Sequence, residues 1–169
     1  MTEQPSRQPV GNPPPGAGDA AAAQAVGTLP RNAYTSWIRR VGAAVIDVIP
    51  VLVLGDIGSG VFHSSSTSGV GIGIGLVFGL AALGYAFLNW GYRQGITGSS
   101  VGKSLLRFKV VSEQTGQPLG VGPSVVRQIT HTVDSMTCNI GFLFPLWDSK
   151  RQTLADKIMF TVCLPISRG

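Results

Sequence analysis

Charge is scarce in this sequence: Asp, Glu, Lys and Arg make up 12% of its 169 residues, roughly half the share found in soluble domains. None of the four occurs between Asp56 and Arg93. With 44% hydrophobic residues besides, the chain suits a bilayer better than a water-soluble core. Cysteine is scarce too. Cys138 and Cys163 make neither a metal spacing nor a disulfide framework, and both stand among apolar residues, as small membrane-embedded hydrophobes do. No metal cluster, cofactor loop or nucleophile with a placed base can be found, so no metal, no cofactor and no enzymatic activity are expected. Met1 to Asp19 hold no apolar stretch of the kind a cleaved secretory signal needs. The first apolar segment then acts as an uncleaved anchor.

The formal charge of +5 would suit nucleic acid, but its placement argues otherwise. Every Lys and Arg lies within residues 7–40, 93–127 or 150–168. Basic clusters beside apolar spans follow the positive-inside pattern and face anionic headgroups. The expected partner is the lipid bilayer, with a homo-oligomer or membrane protein partners as further possibilities, and not nucleic acid. The expected location is the cell membrane, multi-pass, with the N-terminus cytoplasmic.

Along the chain, residues 1–33 are rich in Pro, Gly and Ala. Too few large apolar groups are present to offset ordering entropy, which predicts a disordered tail. A domain over 34–166 follows. Its first span, about 37–57, opens on the aromatic and basic anchor Trp37, Arg39 and Arg40 and contains Asp47 and Pro50. A short loop beginning at Asp56 leads to the second span, about 70–90. There Gly71, Gly75 and Gly79 fall four apart on one face and allow a second helix backbone to approach. A basic surface segment over 93–123 turns at Thr115–Gly116. A third membrane element covers 124–147, and a basic C-terminal segment 148–169. That third element contains Arg127, His131 and Asp134; a re-entrant hairpin breaking near Cys138–Gly141 keeps all basic clusters on one side. The predicted class is an all-α membrane protein: two transmembrane helices plus a third re-entrant or membrane-embedded helical element.

Arg40 and Asp47 are seven residues apart, as are Arg127 and Asp134. Seven residues turn an α-helix through about 700°, so each pair shares a face, offset by roughly 10 Å along the axis. His131 lies on the same face as Arg127 and Asp134 and is placed to bridge them. A carboxylate within a span is costly unless paired. Two readings follow: an arginine–aspartate lock between helices, or carboxylates at one depth that hold a shared proton or a monovalent cation. Two soluble-enzyme patterns fail. The phosphate loop suggested by Thr97–Ser104 has Thr97 where a glycine is required. Gly98-x-Ser100-x-Gly102 fits a nucleophile elbow only inside an α/β sheet, for which the chain leaves no room.

The stretches IRRVGAAVIDVI, GSSVGKSLLRFKVVSEQTGQPLG, VVRQITHTVD and PLWDSKRQTLADKI resemble the RDD family of small membrane proteins, and the likeness runs from about Tyr34 to Pro165. The resemblance implies that Arg40 is the family's arginine and Asp47 its first aspartate. Asp156 is the most natural second, with Asp134 as the other candidate, and Gly102 and Lys103 match a recurring glycine–lysine pair. The tail is similar to that of proline-rich antigen relatives. Some family members are linked to sodium/proton antiport. Two functions are therefore carried forward: a structural or accessory membrane protein, or an oligomeric monovalent cation/proton antiporter.

Overall fold

The computed structural model describes residues 26–27, 29–64, 69–137 and 139–166. Most of the tail expected over 1–33 lies outside the described residues, as does Cys138. Helix α1 (Trp37–Ser64) has 28 residues, roughly 42 Å at a rise of 1.5 Å per residue, against about 30 Å of hydrocarbon. It starts at the expected Trp37 but continues past Ile57, so the loop expected from Asp56 is helical as far as Ser64. Helix α2 (Gly69–Ala86) runs on through a π-helical turn (Phe87–Arg93) into the short α3 (Gln94–Thr97).

Glycine disfavours helix in water by about 1 kcal/mol per residue, and α2 opens GVGIGIG. In hydrocarbon the alternative is an unsatisfied backbone, which costs more and makes helix the only continuous solution; the same argument tolerates Pro50 inside α1. Burial along these two helices is inverted relative to a soluble protein. Their buried residues are Ala43, Asp47 and Gly58 in α1 and Gly71, Gly75 and Ala82 in α2. The large side chains point outward, with Leu52 58%, Leu80 67% and Leu83 68% exposed. A solvent that accepts leucine but not aspartate explains this pattern. Both helices are long and apolar enough to cross a membrane.

α1 and α2 meet backbone to backbone. A Cβ on Gly75 would lie 3.0 Å from the Gly58 carbonyl oxygen, and one on Gly58 would lie 3.1 Å from that of Gly75. Gly71 is buried on the same stripe, whereas a Cβ on Gly79 would meet nothing within 4 Å. The tight crossing is thus Gly75 against Gly58, a residue that the spacing within α2 alone does not reveal.

A polar cap follows the spans: α4 (Val101–Leu105), β1 (Phe108–Ser112), α5 (Val121–Met136), α6 (Ile140–Leu143), a 3-10 turn (Phe144–Leu146), α7 (Leu154–Ile158) and β2 (Thr161–Pro165). β1 and β2 pair antiparallel with Val110 opposite Cys163, which corrects the all-α expectation. FKVVS and TVCLP carry the aromatic and β-branched residues that favour strands. Two small cores form on this ribbon: Phe108, Val110 and Cys163 against Ala43 of α1, and Val111 and Val162 against Val26 and Tyr34. Cys163 accordingly lies in the sheet core and not in a span. α5 has 16 residues, short of the roughly 20 needed to cross. It buries Ser124, Arg127 and Asp134 and exposes Val126, Ile129 and Met136. Beyond it, Asn139 takes a left-handed φ of 63° before α6 begins.

Gly75→Leu is expected to force α1 and α2 apart and cost about 1–3 kcal/mol by overpacking, read as a lower Tm of the detergent-solubilised protein. Gly73→Ala, where an added Cβ meets nothing within 4 Å, leaves Tm unchanged or slightly raised.

Candidate functional site

Two buried polar knots tie the cap to the spans. The first centres on Asp47, in the middle of α1. Its Oδ1 accepts from Asn89 Nδ2 at 2.8 Å and from the backbone N–H of Gly102 at 2.7 Å, and its Oδ2 accepts from the Ser100 hydroxyl. Asn89 reaches it from the π-helical turn, and its Oδ1 in turn accepts from the Val101 N–H at 2.8 Å. Inserting a π turn shifts the helical register, a local irregularity often found at functional positions. Gly102 is required by proximity: a Cβ there would collide with the Ala43 carbonyl. Ser100 is the N-cap of α4, its hydroxyl accepting from the Lys103 N–H at 3.4 Å. The Gly98-x-Ser100-x-Gly102 pattern is therefore a helix cap in this fold, with Gly98 closing α3 at φ 76°.

Lys103 extends the first knot. Its ammonium donates to Gln94 Oε1 and, at 3.4 Å, to Ser100 Oγ. Gln94 Nε2 continues to Ser124 Oγ at 3.2 Å, which donates to the Trp90 carbonyl at 2.7 Å and so joins α5 to the end of the second span. Burial, then the neighbouring Arg127, push the Lys103 ammonium down to a pKa of about 8.

The second knot centres on Asp156 in α7. Arg40 Nη1 of α1 donates to Oδ2 at 2.6 Å, and Arg127 of α5 donates to Oδ1 through Nη2 and, at 3.2 Å, through Nε. Thr161 at the start of β2 donates to Oδ1 at 3.0 Å. Asp156 also closes a capping box with Thr153, so one side chain caps α7 and anchors two other helices. Burial alone would raise its pKa; Arg127 and Arg40 outweigh burial and hold the carboxyl well below the usual carboxylate range. At the edge of the cap, Asp148 pairs with Lys157 at 2.6 Å. There burial raises the pKa, and Lys157 with the N–H groups of Gln152 and Lys150 brings it below the ordinary value.

Arginine and aspartate residues seven apart do not pair with each other in the fold. Arg40 and Asp47 do border one cavity, yet Arg40 pairs with Asp156 and Asp47 with neutral donors. Arg127 likewise bonds Asp156 and not Asp134. His131 Nδ1 donates to Asp134 Oδ2 at 2.7 Å without bridging to Arg127, and Asp134 Oδ1 accepts from the Ala155 N–H at 3.2 Å. Asp47 and Asp134 share no hydrogen-bond partner. Asn89, Gln94, Ser124, Thr153 and Thr161 complete the network and escaped the sequence reading. The available signal was Asn89, a polar group at the end of an uncharged span that needs a partner. Among the described residues no group of three or more His, Cys, Asp or Glu could hold a metal.

The RDD family model matches residues 34–159. The chain is 53% identical to the proline-rich antigen of Mycobacterium leprae (strain TN) over 163 residues, which cover 84% of this chain and 65% of that protein. It is 50% identical over 162 residues to the proline-rich antigen homolog of Mycobacterium tuberculosis, covering 84% of this chain and 68% of the other. The chain thus spans about two thirds of these relatives' length. No solved structure matches it.

A carboxyl whose folded pKa is depressed contributes stability above its unfolded pKa and loses that contribution as pH falls through the folded one. Asp156 is expected to make the protein lose Tm as pH falls below about 5. Asp156→Asn leaves two buried guanidiniums without a counter-charge and costs about 3–5 kcal/mol at neutral pH. A pH series of thermal unfolding should show the variant low throughout and with a shallower acid slope.

Proposed function

Because the chain belongs to the RDD family, we propose that it is a structural or accessory membrane protein whose cap is locked onto two spans by the Asp156 knot. The observation that carries this reading is one fully buried carboxylate shared by arginines from two helices. Removing one partner of such an arrangement is strongly destabilising, which is how a fastener behaves. The loop between the spans has no Lys or Arg, while the cap carries Lys103, Arg107, Lys109, Lys150, Arg151 and Lys157. Positive-inside placement puts the cap, with the N-terminus, on the cytoplasmic face of a multi-pass cell-membrane protein. α5 then lies in the headgroup layer with Val126, Ile129 and Met136 toward the lipid. The outward leucines of α1 and α2 meet lipid, a second copy or another membrane protein. The reading assigns the protein no enzymatic step.

Cation/proton antiport would ask membrane carboxylates to take up and release protons. Asp156 is held ionised by its two arginines, and Asp47 is engaged by Asn89, Ser100 and Gly102. These contacts favour the structural role. In sealed vesicles holding the purified protein, sodium, potassium and lithium gradients imposed in turn should drive no proton movement above empty vesicles. Cation-dependent flux from folded, oriented protein would replace the structural reading with transport.

A further inference from the structure

One edge of Arg40 is unused by the knot. Nη1 serves Asp156, while Nε and Nη2 are buried and have no acceptor among the described residues. A buried donor left unpaired costs about 1–3 kcal/mol. Nε and Nη2 form the side-on edge of the guanidinium, two parallel N–H groups matched to the two oxygens of a carboxylate or phosphate. Arg40 borders a cavity of about 520 Å³, within the roughly 300–1,000 Å³ of small-molecule sites. Cys163 lines the same cavity but offers only a weak sulfur acceptor.

Arg40, Lys103 and Arg127 line this cavity, with Asp47 the one carboxylate among the lining residues. Behind them Asp156 holds the two arginines and Asp134 holds His131, so what points to an anion is the open edge of Arg40 and not a net charge. Most of the remaining wall is apolar, with Trp37, Val41, Val45, Trp90 and Phe142 among the lining residues beside the polar Gln128, His131 and Thr153. Val41 and Val45 are 41% and 54% exposed on the outer face of α1, so the cavity opens where the protein presents its large apolar side chains. A free inorganic anion would gain nothing from such walls, whereas a hydrocarbon chain would.

We propose that this cavity is a binding site for an anionic amphiphile: a hydrocarbon chain enters past Val41 and Val45, and its carboxylate or phosphate accepts from Nε and Nη2 of Arg40. The site takes the acidic head of a membrane lipid or free fatty acid and discriminates against neutral and zwitterionic heads. Arg40 thereby has two roles, one edge fastening α7 and the other reading a headgroup.

Trp37 and Trp90 line the cavity, so bromine on a bound chain quenches them on contact. The full chain carrying Trp147→Phe, which removes an exposed background indole, is titrated in detergent with 9,10-dibromostearate. Saturable quenching is expected, displaced by oleate and by lysophosphatidic acid but not by lysophosphatidylcholine, and absent with the dibromostearate methyl ester. Arg40→Lys keeps a cation for Asp156 but loses the fork, and is expected to weaken binding at least tenfold (about 1.4 kcal/mol or more). Ala44→Phe fills the mouth from an exposed position outside both knots and should weaken it as much, which decides the matter even if Arg40→Lys does not fold. Non-saturable quenching, equal quenching by the methyl ester, or unchanged affinity in Ala44→Phe overturns the proposal. Displacement by inorganic phosphate alone overturns it as well, since that would make the cavity a simple anion site.

Discussion

A carboxylate cannot stay ionised in a dry place without counter-charge, and the cap is organised around meeting that demand at Asp156. Arg40 comes from the first turn of α1, Arg127 from the middle of α5, Thr153 from the N-terminus of α7 and Thr161 from the start of β2. Each group is worth little without the others, because a buried guanidinium is as costly to strand as a buried carboxylate. The knot therefore acts as one unit and fixes α1, α5, α7 and β2 relative to one another. The Asp47 knot complements it with mostly neutral donors, and places the π-helical turn and α4 against the same face of α1. Two polar centres on one helix thus hold a cap whose apolar clusters are small.

The spans obey a different economy. Where the surroundings accept hydrocarbon, burying leucine gains little, and close backbone contact takes over as the source of specificity. Gly58 and Gly75 bring the two helices within touching distance of each other's carbonyls. The residues drawn inside are those that lipid rejects, such as Asp47, or those small enough to permit the approach.

Much of this was legible in the sequence and some was not, for physical reasons. The apolar runs, the anchor at Trp37 and the stripe containing Gly75 follow from composition and helical period, so both spans emerged, although the first continues to Ser64. The arginine and aspartate positions stood out as charges in apolar surroundings. Their partners did not, because a spacing of seven says that two residues share a face and says nothing of what lies opposite. Arg40 finds Asp156 across 116 residues of chain, and no local periodicity encodes such a pairing. The β1–β2 ribbon was hidden for a similar reason: FKVVS and TVCLP are each five residues long and pair only through the fold. Gly58 was invisible because a glycine's value depends on the helix that meets it.

The distance in sequence between Arg40 and Asp156 also sets a timetable. At the ordinary pace of synthesis, about 5–20 residues per second, the 116 residues that separate them take on the order of ten seconds to make. Throughout that interval Arg40, one turn after Trp37, is without the carboxylate it meets in the finished protein. The joint between α1, α5 and α7 can therefore close only when nearly the whole chain has been made, and a chain that stops before Asp156 lacks the one carboxylate that both arginines share.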